Sequence, residues 1–90
     1  MDKAEASIRI TNAHGLHVRT AAIVTKAVIA FRSQVTIAYG DKRADARSAV
    51  DLISLGAGQG ALINVEGRGP DADDAVETVR KLFESGFGED

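Results

Sequence analysis

The chain has 90 residues, enough for one compact domain spanning 1–90 and too few for two. It contains no cysteine, which excludes a disulfide framework and a thiolate metal site. Its 11 basic and 13 acidic residues give a net charge of −2, without the basic excess typical of nucleic-acid binders.

The chain opens on Met1-Asp2-Lys3-Ala4-Glu5, which is polar and lacks the apolar stretch of a signal peptide. No later apolar run approaches the length of a membrane span. With the absence of cysteine, this points to the cytoplasm. Ala6, Ile8 and Ile10 then alternate with Ser7, Arg9 and Thr11, which predicts a strand with one buried face. Asn12-Ala13-His14-Gly15 has the composition of a turn. From Thr20 to Phe31 the period lengthens. Ala21, Val24, Val28 and Phe31 form one helical stripe.

Val35, Ile37 and Tyr39 alternate as a second strand, and Gly40-Asp41-Lys42 reads as a hairpin loop. Ala44 and Ala46, set between Arg43, Asp45 and Arg47, continue as a short third strand. Ser48 to Leu55 predicts a short helix, opened by Ser48 with Asp51 three residues on. On that helix Leu52 and Leu55 share one side, while Val50 and Ile53 fall roughly opposite. Both sides cannot be buried in so small a core, so one apolar pair is expected at the surface. Gly56, Gly58 and Gly60 make a loop, Ala61, Ile63 and Val65 a fourth strand, and Gly67-Arg68-Gly69-Pro70 a turn.

The last element is the clearest. Asp71 is placed to cap a helix, and Asp73 and Asp74 suit its positive end. Ala72, Ala75, Val76, Val79, Leu82 and Phe83 form its buried face, and Gly86 marks its stop. The order βαββαβα predicts an α+β fold: a four-stranded antiparallel sheet with three helices on one face. Acidic residues gather late, at Asp71, Asp73, Asp74 and Glu89-Asp90, whereas Arg9, Arg19, Lys26 and Arg32 lie in the first half. That half can present a locally positive surface.

The segment between the first strand and first helix carries the chemistry. The leading amides of a helix lack backbone partners and attract anions. No Ser, Asp or Asn stands just before Val18 to cap them, so they are expected to be open. His17 puts an imidazole there, and Arg19 adds a planar cation able to grip phosphate oxygens. Imidazole suits reversible phosphoryl transfer, because one nitrogen attacks while the other holds the proton. A histidine at a helix start is more often only a cap or a solvated turn residue. His14 and His17 lie three apart, but with no third ligand nearby no metal site is expected. The Gly56-x-Gly58-x-Gly60 run precedes a strand instead of a helix, the reverse of a phosphate-binding loop. An RNA-binding sheet of similar order would need an aromatic platform, and Tyr39 with three phenylalanines, two on predicted core faces, does not supply one.

Gly15-Leu16-His17-Val18-Arg19-Thr20-Ala21-Ala22 resembles the GLHxRPAA signature of the HPr phosphocarriers of the bacterial phosphotransferase system. Ala46-Arg47-Ser48-Ala49-Val50 and Leu55-Gly56-Ala57-Gly58-Gln59-Gly60 resemble two further segments of that family, in matching order. The resemblance implies an open-faced β-sandwich and a carrier that is not itself an enzyme and needs no cofactor. It implies that His17 accepts phosphate at Nδ1 from phospho-enzyme I and passes it to enzyme IIA domains, with Arg19 assisting. Ser48 matches the regulatory serine that an HPr kinase phosphorylates in some bacteria; it is in any case a helix cap. Val18, Thr20, Ala22, Ala49, Val50 and Ile53 match partner-binding positions. A monomer without membrane or nucleic-acid partners is implied as well. Two positions depart from the pattern. Thr20 stands where the family has proline, and could cap the helix or offer its hydroxyl to the phosphate. Asp51 puts an acid in the docking helix, which would repel acidic partners and points to a branch serving regulation more than sugar uptake.

Overall fold

Alternating apolar and polar side chains select four strands: β1 (Lys3–Arg9), β2 (Gln34–Tyr39), β3 (Lys42–Asp45) and β4 (Leu62–Arg68). Between and after them run α1 (Val18–Ile29), α2 (Ala49–Ser54) and α3 (Ala72–Glu84), followed by a short 3-10 turn at Gly86–Gly88. The structure, a computed structural model, describes residues 2–89. Met1 and Asp90, the second acid of the C-terminal pair, lie outside the described residues.

The strands form one sheet in the order β1-β4-β2-β3, with every neighbouring pair antiparallel. Register places Ile8 opposite Ile63, and Ile37 opposite both Val65 and Ala44. These side chains, with Val35, make a single buried layer. The three helices close over it. α1 contributes Thr20, Ala21, Val24 and Val28, α3 contributes Ala72, Ala75, Val76, Val79 and Phe83, and α2 contributes Leu52. The other sheet face stays open. There Glu5 and Glu66 stand directly opposite each other, a destabilising pairing if left alone. Lys3 Nζ bridges them at 3.2 and 3.3 Å, and Arg68 and Arg43 reach Glu66 at 3.3 and 3.6 Å.

Several expected boundaries shift, among them β1, which opens at Lys3 instead of Ala6, and β3, which takes in Lys42 from the expected loop and stops before Ala46; three others have a visible reason. α1 starts at Val18, not Thr20, because His17 serves as its N-cap, and it ends at Ile29. Phe31 therefore lies beyond the helix, half-buried against the core. β4 continues through Gly67 and Arg68, which were expected in a turn. Gly67 pairs with Ala4 and Val35, and it is a glycine because α3 presses on it: a Cβ there would lie 2.9 Å from Val76 Cγ2 and 3.2 Å from Ala72 O. Asp71 occupies the N-cap position of α3 but makes no side-chain cap bond. Its carboxylate instead accepts from the amides of Arg32 and Ser33 and from Ser33 Oγ at 2.6 Å. The Ser33 hydroxyl, followed by the Arg32 amide, holds the Asp71 carboxyl below the usual carboxylate range. Among the described residues no helix is long and apolar enough to cross a membrane.

Candidate functional site

The site is built where the turn after β1 enters α1. His17 takes extended backbone angles, φ −116° and ψ −172°, as an N-cap residue must. Its Nδ1 accepts the Arg19 amide at 3.3 Å. The expectation of open amides is thus corrected for Arg19, since the histidine itself caps the helix. Thr20 is the third residue of α1 and completes a capping box: its Oγ1 accepts the His17 amide at 3.1 Å. An Nδ1 that accepts a backbone N–H carries no proton, so in the neutral ring the proton sits on Nε2.

That proton faces Glu89, whose Oε2 lies 3.2 Å from Nε2. Glu89 also pairs with Arg19 Nη2 and accepts from Asn12 Nδ2 at 3.1 Å. Burial opposes the charge on Glu89, yet the hydrogen bonds from Asn12, Arg19 and His17 outweigh it and hold the carboxyl below its usual range. The 3-10 turn makes this contact possible. Gly86 ends α3 with φ +64°, Phe87 packs edge-on against Phe83, and the chain doubles back. Sequence reasoning missed Glu89 as a site residue, because 72 positions separate it from His17. The only signal was an acidic pair at the C-terminus.

His14 sits at the rim, its ring edge-on to that of His17 with centroids 5.7 Å apart. Among the described residues no group of three His, Cys, Asp or Glu could hold a metal ion. Thr20 is fully buried, so in this structure its side chain offers no surface to a partner and its hydroxyl is turned inward, to Gly15 and His17.

Ser48 caps α2, its Oγ accepting the Asp51 amide at 3.2 Å. The reciprocal half of a capping box is replaced by Ser48 N–H donating to Asp45 O at 2.9 Å. The helical spacing put one apolar pair at the surface, and it is the second: Leu52 and Leu55 are buried while Val50 is 72 % and Ile53 37 % exposed. Val18 is 73 % exposed on α1, which packs beside α2. Ala22 is exposed and Ala49 half-buried. Val18, Val50 and Ile53 thus belong to the two helices whose N-termini carry His17 and Ser48, whereas exposed Leu62 lies apart on β4.

A family model described as the PTS HPr component phosphorylation site matches residues 4–85. The phosphocarrier protein NPr of Shewanella violacea is 36 % identical over 89 residues, 99 % of this chain and 98 % of that protein. The phosphocarrier protein HPr of Xylella fastidiosa is 33 % identical over 86 residues, covering 96 % of this chain and 97 % of that one. Among solved structures, HPr-C-His from Thermoanaerobacter tengcongensis superposes with a TM-score of 0.93 at 34 % identity, covering 97 % of this chain and 98 % of that one.

Proposed function

The chain belongs to the HPr family of phosphocarriers, and from that premise we propose that His17 takes a phosphoryl group from phospho-enzyme I and passes it to enzyme IIA domains of the sugar phosphotransferase system. The chain is a carrier, not a catalyst. The observation that supports the transfer reading best is the division of labour on the His17 ring. Nδ1 meets the Arg19 amide of α1 with its lone pair, and Nε2–H faces a carboxylate.

The step then balances simply. Nδ1 attacks phosphorus, the bond from phosphorus to the donor breaks, and the donor keeps that electron pair. Positive charge grows on the ring and is met by Glu89 through Nε2–H, so no proton need leave. The phosphoryl oxygens take over the Arg19 amide from Nδ1 and draw on the guanidinium of Arg19. Onward transfer reverses these events. Val18, Ala22, Ala49, Val50 and Ile53 are the surface we assign to partner binding. Phosphate on Ser48 would add about −1.5 to −2 charge at the start of α2, beside that surface, which suits a regulatory role under an HPr kinase.

One feature favours a second reading. Asp51 is exposed in α2 between Val50 and Ile53, where it would repel acidic partners. That fits an HPr-like regulatory module with little or no role in sugar transport. Labelled phosphoenolpyruvate and enzyme I should place acid-labile phosphate on the chain, and a IIA domain added next should remove it. Label that loads but stays put supports the regulatory module, and label that never loads contradicts both readings.

A further inference from the structure

We propose that the Thr20 hydroxyl is a positioning residue for His17, a role that rests on the phosphoryl-acceptor reading above. Thr20 is 0 % exposed, so its hydroxyl must find partners inside the protein. It finds two. Oγ1 donates to Gly15 O at 2.7 Å and accepts from His17 N–H at 3.1 Å. The single hydroxyl proton is spent on Gly15, so the contact to His17 O at 3.4 Å carries none.

Gly15 is itself immobilised. Its φ is +62°, and a Cβ on it would lie 2.5 Å from Ala57 O and 2.6 Å from Gly58 Cα. Its carbonyl also accepts from Asn12 Nδ2 at 3.0 Å, and the next amide, of Leu16, donates to Ala57 O at 3.0 Å. The loop is thus pinned to the Ala57–Gly58 segment at Gly15. Thr20 carries that fixed point across to the backbone of His17. With the His17 amide anchored, the ring leaves its Cα in one direction, Nδ1 to the Arg19 amide and Nε2 to Glu89.

A proline at position 20 would restrict this backbone through its own φ and that of Arg19, but it has no donor or acceptor for Gly15 or His17. Threonine reaches order by another route, through two hydrogen bonds. Because it lies behind His17 and never meets the phosphate, its effect belongs to ring orientation and not to phosphate affinity.

The test compares Thr20→Val, which removes the hydroxyl at nearly constant shape, with Thr20→Ser, which keeps it. The readouts are the imidazole 15N shifts of His17, which report the tautomer, and the kinetics of enzyme I with each protein as phosphoryl acceptor. Thr20→Val removes both hydrogen bonds; it should mix the His17 tautomers and lower kcat about tenfold, the order expected from losing the one that anchors the His17 amide, with KM little changed. Thr20→Ser should match the parent in both. Parental tautomer and rate in Thr20→Val, or equal impairment in Thr20→Ser, would overturn the proposal. If Thr20→Val does not fold, amide exchange in the parent decides. A His17 amide exchanging as fast as an exposed loop amide contradicts the anchor, and a protected one supports it. A parent that takes no phosphate from enzyme I refutes the acceptor reading, whereas the tautomer comparison still tests the positioning.

Discussion

Each nitrogen of the His17 ring meets its own partner, the Arg19 amide on one side and Glu89 on the other. The consequence is testable at Glu89. Glu89→Gln keeps an acceptor for Nε2–H but removes the negative charge that answers the ring's growing positive charge, and it releases Arg19 from its ion pair. Phosphoryl acceptance from enzyme I should slow several-fold, while His17→Ala should abolish it. Stopped-flow or quench measurements of first turnover check this, and an unchanged rate in Glu89→Gln would remove Glu89 from the mechanism. The place of His17 and Arg19 between the first strand and the first helix was legible in the sequence, and the resemblance of the segment from Gly15 to Ala22 singled them out; the cap role of His17 was not legible, because the helix was expected to open at Thr20. Glu89 was not legible either, because its approach depends on a chain reversal at Gly86 and Phe87 that no local periodicity announces.

Among the elements, β4 and α3 show how composition misleads. Gly67-Arg68-Gly69-Pro70 has turn composition, yet Gly67 is a strand residue chosen for closeness to α3. Gly67→Ala keeps β geometry but forces a methyl group onto Val76 and the Ala72 carbonyl. It should cost about 1–3 kcal/mol, the usual range for overpacking, in urea or guanidinium titration. A stability equal to the parent's would show that α3 is free to back away. Asp71 misled in a similar manner. Its place before α3 suggested a cap, but the amides of Arg32 and Ser33 hold it, joining the α1–β2 connection to the β4–α3 connection. Such a latch joins segments 38 residues apart, and local patterning is blind to it. By contrast, α2 was legible except for its exact ends and half of its cap. That Leu52 and Val50 take opposite sides follows from a turn of about 100° per residue; that Leu52 is the buried one does not.

Over the whole molecule, four carboxylates with lowered pKa carry the charge contacts, Asp71 and Glu89 between distant segments, Glu66 within β4 and across the sheet, and Glu77 within α3. Glu66 is lowered by Arg68 and then Lys3, Glu77 by Arg80, Asp71 chiefly by Ser33, and Glu89 by its three hydrogen-bond donors against the cost of burial. A group whose pKa is depressed by folding stabilises the folded state fully above its unfolded pKa and loses that contribution as pH falls through the folded value. Stability should therefore drop as pH goes below about 4, seen as a falling urea midpoint. A midpoint that stays level through that range would mean these ion pairs add nothing to folding. The antiparallel sheet with one covered face followed from seven amphipathic segments in βαββαβα order, since such a chain has few ways to bury every apolar face at once; the strand order β1-β4-β2-β3 is set by pairings between distant segments and was not legible.

The central claim concerns one atom. The chain should be loaded with phosphate by enzyme I and phosphoenolpyruvate and examined by 31P and 15N NMR before any acid treatment. The account predicts a single phosphoramidate bonded to Nδ1 of His17, with His14 unmodified. Phosphate on Nε2, on His14, or nowhere on the chain would contradict it.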